Sequence, residues 1–591
     1  MAANDGIEVN HLGANNTLVR VTGQGRYLML PVQESNDEAV INIIVDGKAE
    51  GKINVRLAKN KVDHSMPLDL QKYEGKNVVL NIVTKHDRTS MREAKDDAAW
   101  NNITLVDSLN LENIEVYRPI YHHTPVYGWM NDPNGMYYAD GRWYLAYQWN
   151  PYGSKWQNMN WGESSSTDLI HWDRSITPAI EPDGLGMVFS GSAAIDHTGS
   201  AGFGDDVVVA MFTSADASQV QSLAHKDPQT GQYVVYEGNP VLTLESEARD
   251  PNMFWNEEAG QWVLTLAHAL DKEMLIFTSP DLKNWTLQSA FGKGLGAQGG
   301  VWECPDLFPL NVDGTDQVKW MLVCNLNPGG PFGGSATQYF IGDFDGKTFT
   351  ADLDADGNVP TKWLDHGKDH YATVSFSDTT GRRTVIGWMS NWQYANEVPT
   401  LQFRSANTLP RDLALFTAPD GQIYAATTPS PELEALRGQI VAQAKNKSLG
   451  TKALTYSLPA SNRGACEIIA EIEAETADSV NLIIGNASGE KTVVSYNPTD
   501  NTVSVDRRES GVTAFSEEFP AVTVAPAFTA DGKVTLRMFL DTSSLEVFDG
   551  KDGRFVLTNL VFPANPYTTL SVDAQGGRAR LTSLKVYSIN F

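Results

Sequence analysis

Apolar and polar residues alternate along much of this chain with the two-residue period of half-buried β-strands. Near the N-terminus the pattern runs through Ala39-Val40-Ile41-Asn42-Ile43-Ile44-Val45, then residues 51–57, then residues 77–83, and it is broken by the turn pairs Asp46-Gly47 and Glu74-Gly75. Short strands at such spacing predict an all-β, sandwich-like domain over residues 1–118. No cluster of chemically active side chains falls there. A packing or spacer role is expected, removable without cost to chemistry elsewhere, with carbohydrate binding through exposed aromatics as the alternative.

Over residues 119–430 the strands acquire a repeat. Ser166-Thr167-Asp168-Leu169-Ile170-His171-Trp172 recurs as Ser279-Pro280-Asp281-Leu282-Lys283-Asn284-Trp285, and Gly342-Asp343-Phe344-Asp345-Gly346-Lys347-Thr348-Phe349 is a worn third copy. The later copies follow strand-like runs, at 261–266 and 319–324. The last two copies lie about 60 residues apart and the first two about twice that, so a divergent unit is expected between them, as in an array of four-stranded blades. About five blades fill the region, which predicts a five-bladed β-propeller; an irregular sandwich is the alternative. After Pro429-Ser430-Pro431, the stretch Glu432–Gly438 reads as a short helical connector. Alternating runs at 479–485, 533–540 and 581–589 predict a second β-sandwich over residues 431–591.

Composition narrows the partners. With 591 residues the chain exceeds one hydrophobic core, and roughly two to four domains are expected. A net charge of -27, from 45 basic and 72 acidic residues, disfavours nucleic acid and anionic membrane surfaces. No apolar run approaches the roughly 20 residues of a membrane span, and Met1-Ala2-Ala3-Asn4 lacks the layout of a secretory leader. Cys304, Cys324 and Cys466 are odd in number and not closely spaced, so neither a disulfide framework nor a structural metal is expected, and no cofactor.

Candidate chemistry centres on Trp129-Met130-Asn131-Asp132-Pro133-Asn134-Gly135. Pro133 and Gly135 fix a turn from which the Asp132 carboxylate and Asn131 amide can be aimed. Taken alone this is an ordinary Asx-type turn. Its flanks, with His122, His123, Tyr127 and Trp129 before it and Tyr144–Pro151 after it, put flat aromatics and amides beside a carboxylate, which suits a sugar ring. Two further acids lie in Arg249-Asp250-Pro251 and Glu303-Cys304-Pro305, with Phe189-Ser190-Gly191-Ser192 between the first motif and the others. Val301, Trp302, Cys304 and Pro305 surround Glu303 with apolar bulk, which should raise its pKa and keep it protonated until needed. Asp250, next to Arg249, is expected to be ion-paired and permanently charged.

These motifs, in this order, resemble glycoside hydrolase family 32, the invertases, inulinases and levanases. The resemblance implies a five-bladed propeller followed by a sandwich, and a retaining mechanism with Asp132 as nucleophile, Glu303 as acid/base and Asp250 as transition-state stabiliser. It also implies that Asn131, Gln148, Trp156, Phe189, Ser190, Arg249 and Trp392 bind the terminal fructose. The pattern departs at Trp161-Gly162-Glu163, where relatives commonly carry His in place of Glu163. The expected activity is release of terminal fructose from inulin or levan, and from sucrose, by a secreted, periplasmic or cell-surface enzyme of a bacterium. A propeller funnel narrows toward its axis, and loops at 388–400 and 329–334 would close it behind one ring. Endo-action, fructosyl transfer, an inverting arabinan- or xylan-type enzyme and a non-catalytic fructan-binding module are the competing readings.

Overall fold

The computed structural model describes residues 6–85 and 94–591, so Met1-Ala2-Ala3-Asn4 lies outside the described residues. The first described stretch folds as two facing sheets. One has five strands in the spatial order Ile7–His11, Asn16–Val21, Val78–Val83, Ala39–Val45 and Lys48–Val55. The other has three, His64–Asp69, Tyr27–Val32 and Thr104–Val106. Alternation sets the faces: in Ala39–Val45 every second residue is buried, and Ile41 and Ile43 meet Leu28, Leu30, Leu80 and Ile82. This core does not stop at the domain edge. It continues without a break into Tyr127, Met130, Tyr147 and Trp149, all of which come from the next domain.

Five antiparallel sheets follow, each built in simple up-and-down order. Their leading strands are Gly128–Ala139, Met187–Asp196, Ala248–Asn256, Val301–Asn311 and Tyr371–Ser375. These pack side by side, the fifth returning against the first, so the sheets are the blades of a closed five-bladed propeller. The ring is fastened by Phe403–Arg404, which leaves the fifth blade and pairs in parallel with Gly128 and Trp129 of the first.

The repeat legible in the sequence is the turn between the third and fourth strands of a blade. In the first blade Asp168 Oδ1 accepts from the N–H groups of Ile170 (3.0 Å) and His171 (2.8 Å), and in the third Asp281 Oδ1 accepts from Lys283 (3.0 Å) and Asn284 (2.8 Å). Leu169 and Leu282 both take φ 61°, the left-handed conformation that lets the chain reverse. The fourth blade repeats the device with Asp345 under Lys347 (2.9 Å) and Thr348 (2.7 Å). The divergent unit expected between the first two copies is the second blade, where Asp227 caps Gln229 (2.8 Å) and Thr230 (2.9 Å).

Beyond a 3₁₀ turn at Pro431–Leu436, two six-stranded sheets enclose the largest apolar core of the molecule, with Ile468, Leu482, Leu536 and Val572 among its members. This sandwich is locked to the propeller by charge as well as by apolar contact. Arg411 lies between Asp365 (2.7 Å) and Glu546, all three buried, and His122 bridges Asp541 and Glu546 at 2.7 Å each. Burial would lower the His122 pKa, but the two carboxylates raise it to about 9, so the bridge is charged at neutral pH.

The shared core gives the N-terminal domain the packing role, and makes its removal costly to stability. Deleting residues 1–115 should expose Tyr147, Trp149 and their neighbours and give an insoluble chain, or one that melts several degrees lower. A soluble truncation with an unchanged thermal midpoint would contradict the shared core.

Candidate active site

Every leading strand of the propeller is interrupted by a two-against-one β-bulge at the same level. Asn131 and Asp132 together oppose Gln148, Phe189 and Ser190 oppose Thr213, and Asp250 and Pro251 oppose Leu266. Cys304 and Pro305 oppose Cys324, and Ala372 and Thr373 oppose Gly387. In the last three blades the first bulge residue is left-handed, with φ 63° at Asp250, 46° at Cys304 and 54° at Ala372. Non-glycine residues held there are strained, and bulges of this kind re-aim side chains. The extra residue leaves the ladder, so a residue with no N–H is tolerated, which is the physical sense of Pro251 and Pro305. Gly191 has a steric reason, since a Cβ there would lie 1.8 Å from the Met211 carbonyl oxygen.

Three carboxyls converge at these bulges. Asp132 Oδ2 accepts from Ser190 Oγ at 2.7 Å, and Asp132 Oδ1 accepts from Asn131 Nδ2 at 3.1 Å. Asp250 Oδ2 accepts from the Cys304 N–H at 2.9 Å and its thiol at 3.4 Å, and the same thiol lies 3.5 Å from Asp132 Oδ2. Glu303 Oε1 accepts from Arg249 Nε at 3.0 Å, and Tyr371 donates its O–H to Glu303 Oε2. Burial, and then repulsion from Glu303, raises the pKa of Asp132. The same two causes, with Asp132 added, push Asp250 up from 3.8 to about 7, against the pull of Arg249 and the Cys304 N–H.

Two expectations are corrected here. Arg249 does not hydrogen-bond Asp250: its guanidinium reaches Glu303, with Glu247 (3.2 Å) and Gln219 (3.4 Å) behind it, because the bulge at Asp250 turns that side chain to the other neighbour. Asp250 therefore titrates near neutrality instead of staying charged throughout. Nor is the Glu303 carboxyl set in apolar bulk. Strand alternation buries Trp302 in the core between the third and fourth blades, where its Nε1 donates to Ala297 O at 3.0 Å, while Glu303 faces Arg249 and Tyr371.

The aromatic walls assemble from distant segments. Trp392 stacks on Trp129 with centroids 5.7 Å apart, and the edge of Trp156 meets Phe189 at 6.1 Å. Trp129 Nε1 fixes Asn131 through its Oδ1 (2.8 Å), and Trp161 Nε1 holds the Phe189 carbonyl (2.9 Å). Gln148, opposite Asn131 and Asp132, is buried with an Nε2 that has no protein partner. Every residue expected to bind sugar thus lies on or beside the ring of bulges, except Trp156 and Trp392, which come from the loops above it. His122 and His123 do not face it: the first is the interdomain bridge, and the second contacts Ser164 Oγ at 2.8 Å and Asn407. Glu163, the departure from the family pattern, pairs with Lys226 at 2.7 Å inside a cage of Tyr137, Tyr144 and Tyr233.

Sequence reading missed Tyr371 and the role of the Cys304 thiol. Tyr371 stands in no acidic motif, and its signal was positional, as the first residue of the fifth leading strand. Asp132, Asp250 and Cys304 present ligand atoms within 4.8 Å of one another. Burial and the three nearby acids push the thiol well above its ordinary pKa, so it stands as a neutral S–H within hydrogen-bond reach of both carboxyls.

Crowded carboxyls among aromatic side chains are the equipment that glycoside hydrolysis uses. Comparison with known proteins gives the particular family. The profile of the glycosyl hydrolases family 32 N-terminal domain matches residues 122–427, and that of the family 32 C-terminal domain matches residues 432–588. Residues 13–121 match a domain of unknown function. The chain is 41% identical over 491 residues to a levanase of Bacillus subtilis, covering 80% of this chain and 71% of that protein. It is 35% identical over 512 residues to an extracellular exo-inulinase of Aspergillus niger, covering 80% and 94%. The crystal structure of exo-inulinase from Aspergillus awamori superposes with a TM-score of 0.75 at 34% identity, covering 81% of this chain and 99% of that one. A β-fructofuranosidase from Schwanniomyces occidentalis complexed with fructosyl-erythritol gives 0.75 at 29% identity, covering 82% and 100%. The chain belongs to glycosyl hydrolases family 32.

The raised pKa of Asp250 has a consequence for stability. A carboxyl whose folded pKa exceeds its unfolded value favours the fold while protonated, and the advantage drains away as pH rises from about 4 to about 7. Asp250→Asn, neutral at every pH, should therefore melt higher than the wild type at pH 8, by about 1–3 kcal/mol of stability, and match it near pH 4. Thermal midpoints for the two proteins at both pH values check this, and a variant no more stable at pH 8 would contradict it.

Proposed function

We propose that this protein is an exo-acting, retaining β-fructosidase that removes terminal fructose units from β-fructans and sucrose. The observation that carries the reading is that Asp132 and Asp250 stand in one ring of bulges, with Glu303 on the residue just before the bulge of its own strand and aromatic side chains packed around them. In this reading Glu303 gives its proton to the glycosidic oxygen while Asp132 attacks the anomeric carbon and the carbon–oxygen bond breaks, leaving a fructosyl ester on Asp132. Arg249 and Tyr371, on the two oxygens of Glu303, stabilise the carboxylate so formed. Glu303 then takes a proton from water, which attacks the same carbon and releases Asp132. Asn131 and Ser190 hold the nucleophile in line, and Asp250 accepts from ring hydroxyls.

Exo-action is supported by how the mouth is closed. Asn391 Nδ2 donates to Gly333 O at 3.1 Å, and Trp392 N–H donates to Ser335 Oγ at 3.0 Å, so the loops at 329–335 and 388–400 are joined to each other at Trp392, which stacks on Trp129. A pocket capped in this way admits chain ends. The extracellular exo-inulinase among the relatives supports a secreted protein, in which residues 119–430 carry the chemistry and residues 431–591 brace them. No helix among the described residues is long and apolar enough to cross a membrane.

On inulin, levan and sucrose, free fructose should dominate the earliest products while long chains persist; a burst of mixed oligosaccharides with little fructose would overturn the exo reading. Asp132→Ala and Glu303→Ala should each lower turnover by at least about 10³-fold with folding intact, because the two act as a unit. Near-native turnover in either variant would refute the assignment of these two acids.

A further inference from the structure

We propose that the N-terminal domain is a working part of the fructan site: Glu34, Glu38 and the backbone of Asn54 fix the loop that carries Trp156, and so set how firmly the sugar is held. The inference rests on the reading above, in which Trp156 faces substrate.

The loop lies between the second and third strands of the first blade, Arg142–Asn150 and Asn160–Ser166, and has no regular structure of its own. Such a segment is ordered only by what it touches. Ser154 donates its N–H to Glu34 Oε1 at 2.6 Å, and the same oxygen contacts His64 Nε2 at 2.8 Å, with both side chains buried. Two residues past Trp156, Asn158 takes φ 46° and pairs its amide with the Asn54 backbone on both sides, accepting from Asn54 N–H at 2.9 Å and donating to Asn54 O at 2.8 Å. Gln157 Nε2 donates to Glu38 Oε2 at 3.1 Å, and Glu38 is steadied in turn by Arg56 at 3.1 Å.

Trp156 is thereby bracketed, with Ser154 before it and Gln157 and Asn158 after it all anchored to the N-terminal domain. Its own polar tie is its N–H to Asn396 Oδ1 at 3.0 Å, which joins it to the loop of Trp392. Lys155 adds a link to Glu397 at 3.3 Å, and Ser154 Oγ donates to Leu401 O. Burying a carboxylate is costly unless it is paired, and Glu34 is paired through Oε1 alone. Burial alone would raise the pKa of Glu34, but His64, the Ser154 N–H and the charge of Arg404 more than offset this and keep it ionised. The contact to the loop is therefore charge-assisted, the stronger kind. One oxygen of Glu34 thus serves both its own domain, through His64, and the loop of the propeller, through the Ser154 N–H.

Glu34 is on this account a positioning residue that acts through Trp156, and a double-mutant cycle in the full-length chain reads it. Glu34→Ala should raise KM for inulin or levan about 5–10-fold with kcat within about twofold, since it loosens binding without touching the acids. Glu34→Gln, whose amide oxygen can still accept from Ser154, should recover most of the loss. In a Trp156→Ala background the Glu34→Ala effect should nearly vanish, because the group it positions is gone. Glu38→Ala, at a partly exposed site that folding tolerates, should show a smaller rise in KM with the same dependence on Trp156, and it keeps the test intact if Glu34→Ala does not fold. An unmoved KM in both variants overturns the proposal. So does a loss that persists undiminished in the Trp156→Ala background, which marks a purely structural role. A wild type that cleaves no fructoside overturns the activity reading and this inference together, whereas an active wild type with unmoved variants overturns this one alone.

Discussion

The structure depends on one electrostatic constraint, that three carboxyls, Asp250 buried and Asp132 and Glu303 half-buried, must be held close together where five strands converge. Like charges so placed repel and are poorly solvated, which is why Asp132 and Asp250 are pushed toward their neutral forms. The fold answers with local partners instead of bulk solvent. Arg249 is spent on Glu303, the Cys304 N–H and thiol on Asp250, and Ser190 and Asn131 on Asp132. Each of these donors is delivered by a bulge or by the residue beside one. A regular five-bladed propeller would point alternate side chains into neighbouring blades; the repeated irregularity is what opens an axial site.

The same logic extends to the rim. The loops bearing Trp156 and Trp392 have little regular structure, yet each is tied down by a different flanking domain. On one side Glu34 and Asn54 of the N-terminal domain hold the 150–158 segment. On the other, Arg507 of the C-terminal sandwich binds Asp369 and the hydroxyl of Tyr394 (2.8 Å), with all three buried, two residues from Trp392. Buried charge networks of this kind contribute little net stability over apolar packing, but removing one partner leaves the other buried and unpaired, at a cost of about 3–5 kcal/mol. The mouth is therefore shaped by domain docking as much as by the propeller itself.

What the sequence made legible was what repeats or what is chemically unusual. Alternation marked the strands, and the Asp-capped outer turn marked the blades, because both are local: Asp168 and Asp281 cap N–H groups two and three residues on. The acids stood out because Asp132, Asp250 and Glu303 sit beside prolines or aromatics in short motifs. Partners across the axis were not legible. That Arg249 serves Glu303 and not its neighbour Asp250, and that Tyr371 closes the same carboxyl, depends on contacts between blades, across 54 and 68 residues of chain. His122 shows the opposite failure. Its place next to the aromatic cluster suggested sugar, while its ring bridges two acids some 420 residues away.

The central claim is that Asp132 is the atom-bonding member of the carboxyl cluster and Glu303 its proton carrier. The most direct measurement gives Glu303→Ala a fructosyl donor whose leaving group needs no proton, followed by mass spectrometry of the intact protein and its peptides. The first step should then proceed while hydrolysis of the ester stalls, so one fructosyl unit should accumulate on the peptide containing Asp132 and should be absent when Asp132→Ala is added. A fructosyl unit found on Asp250, or fructose released with inverted configuration and no adduct, would contradict the account.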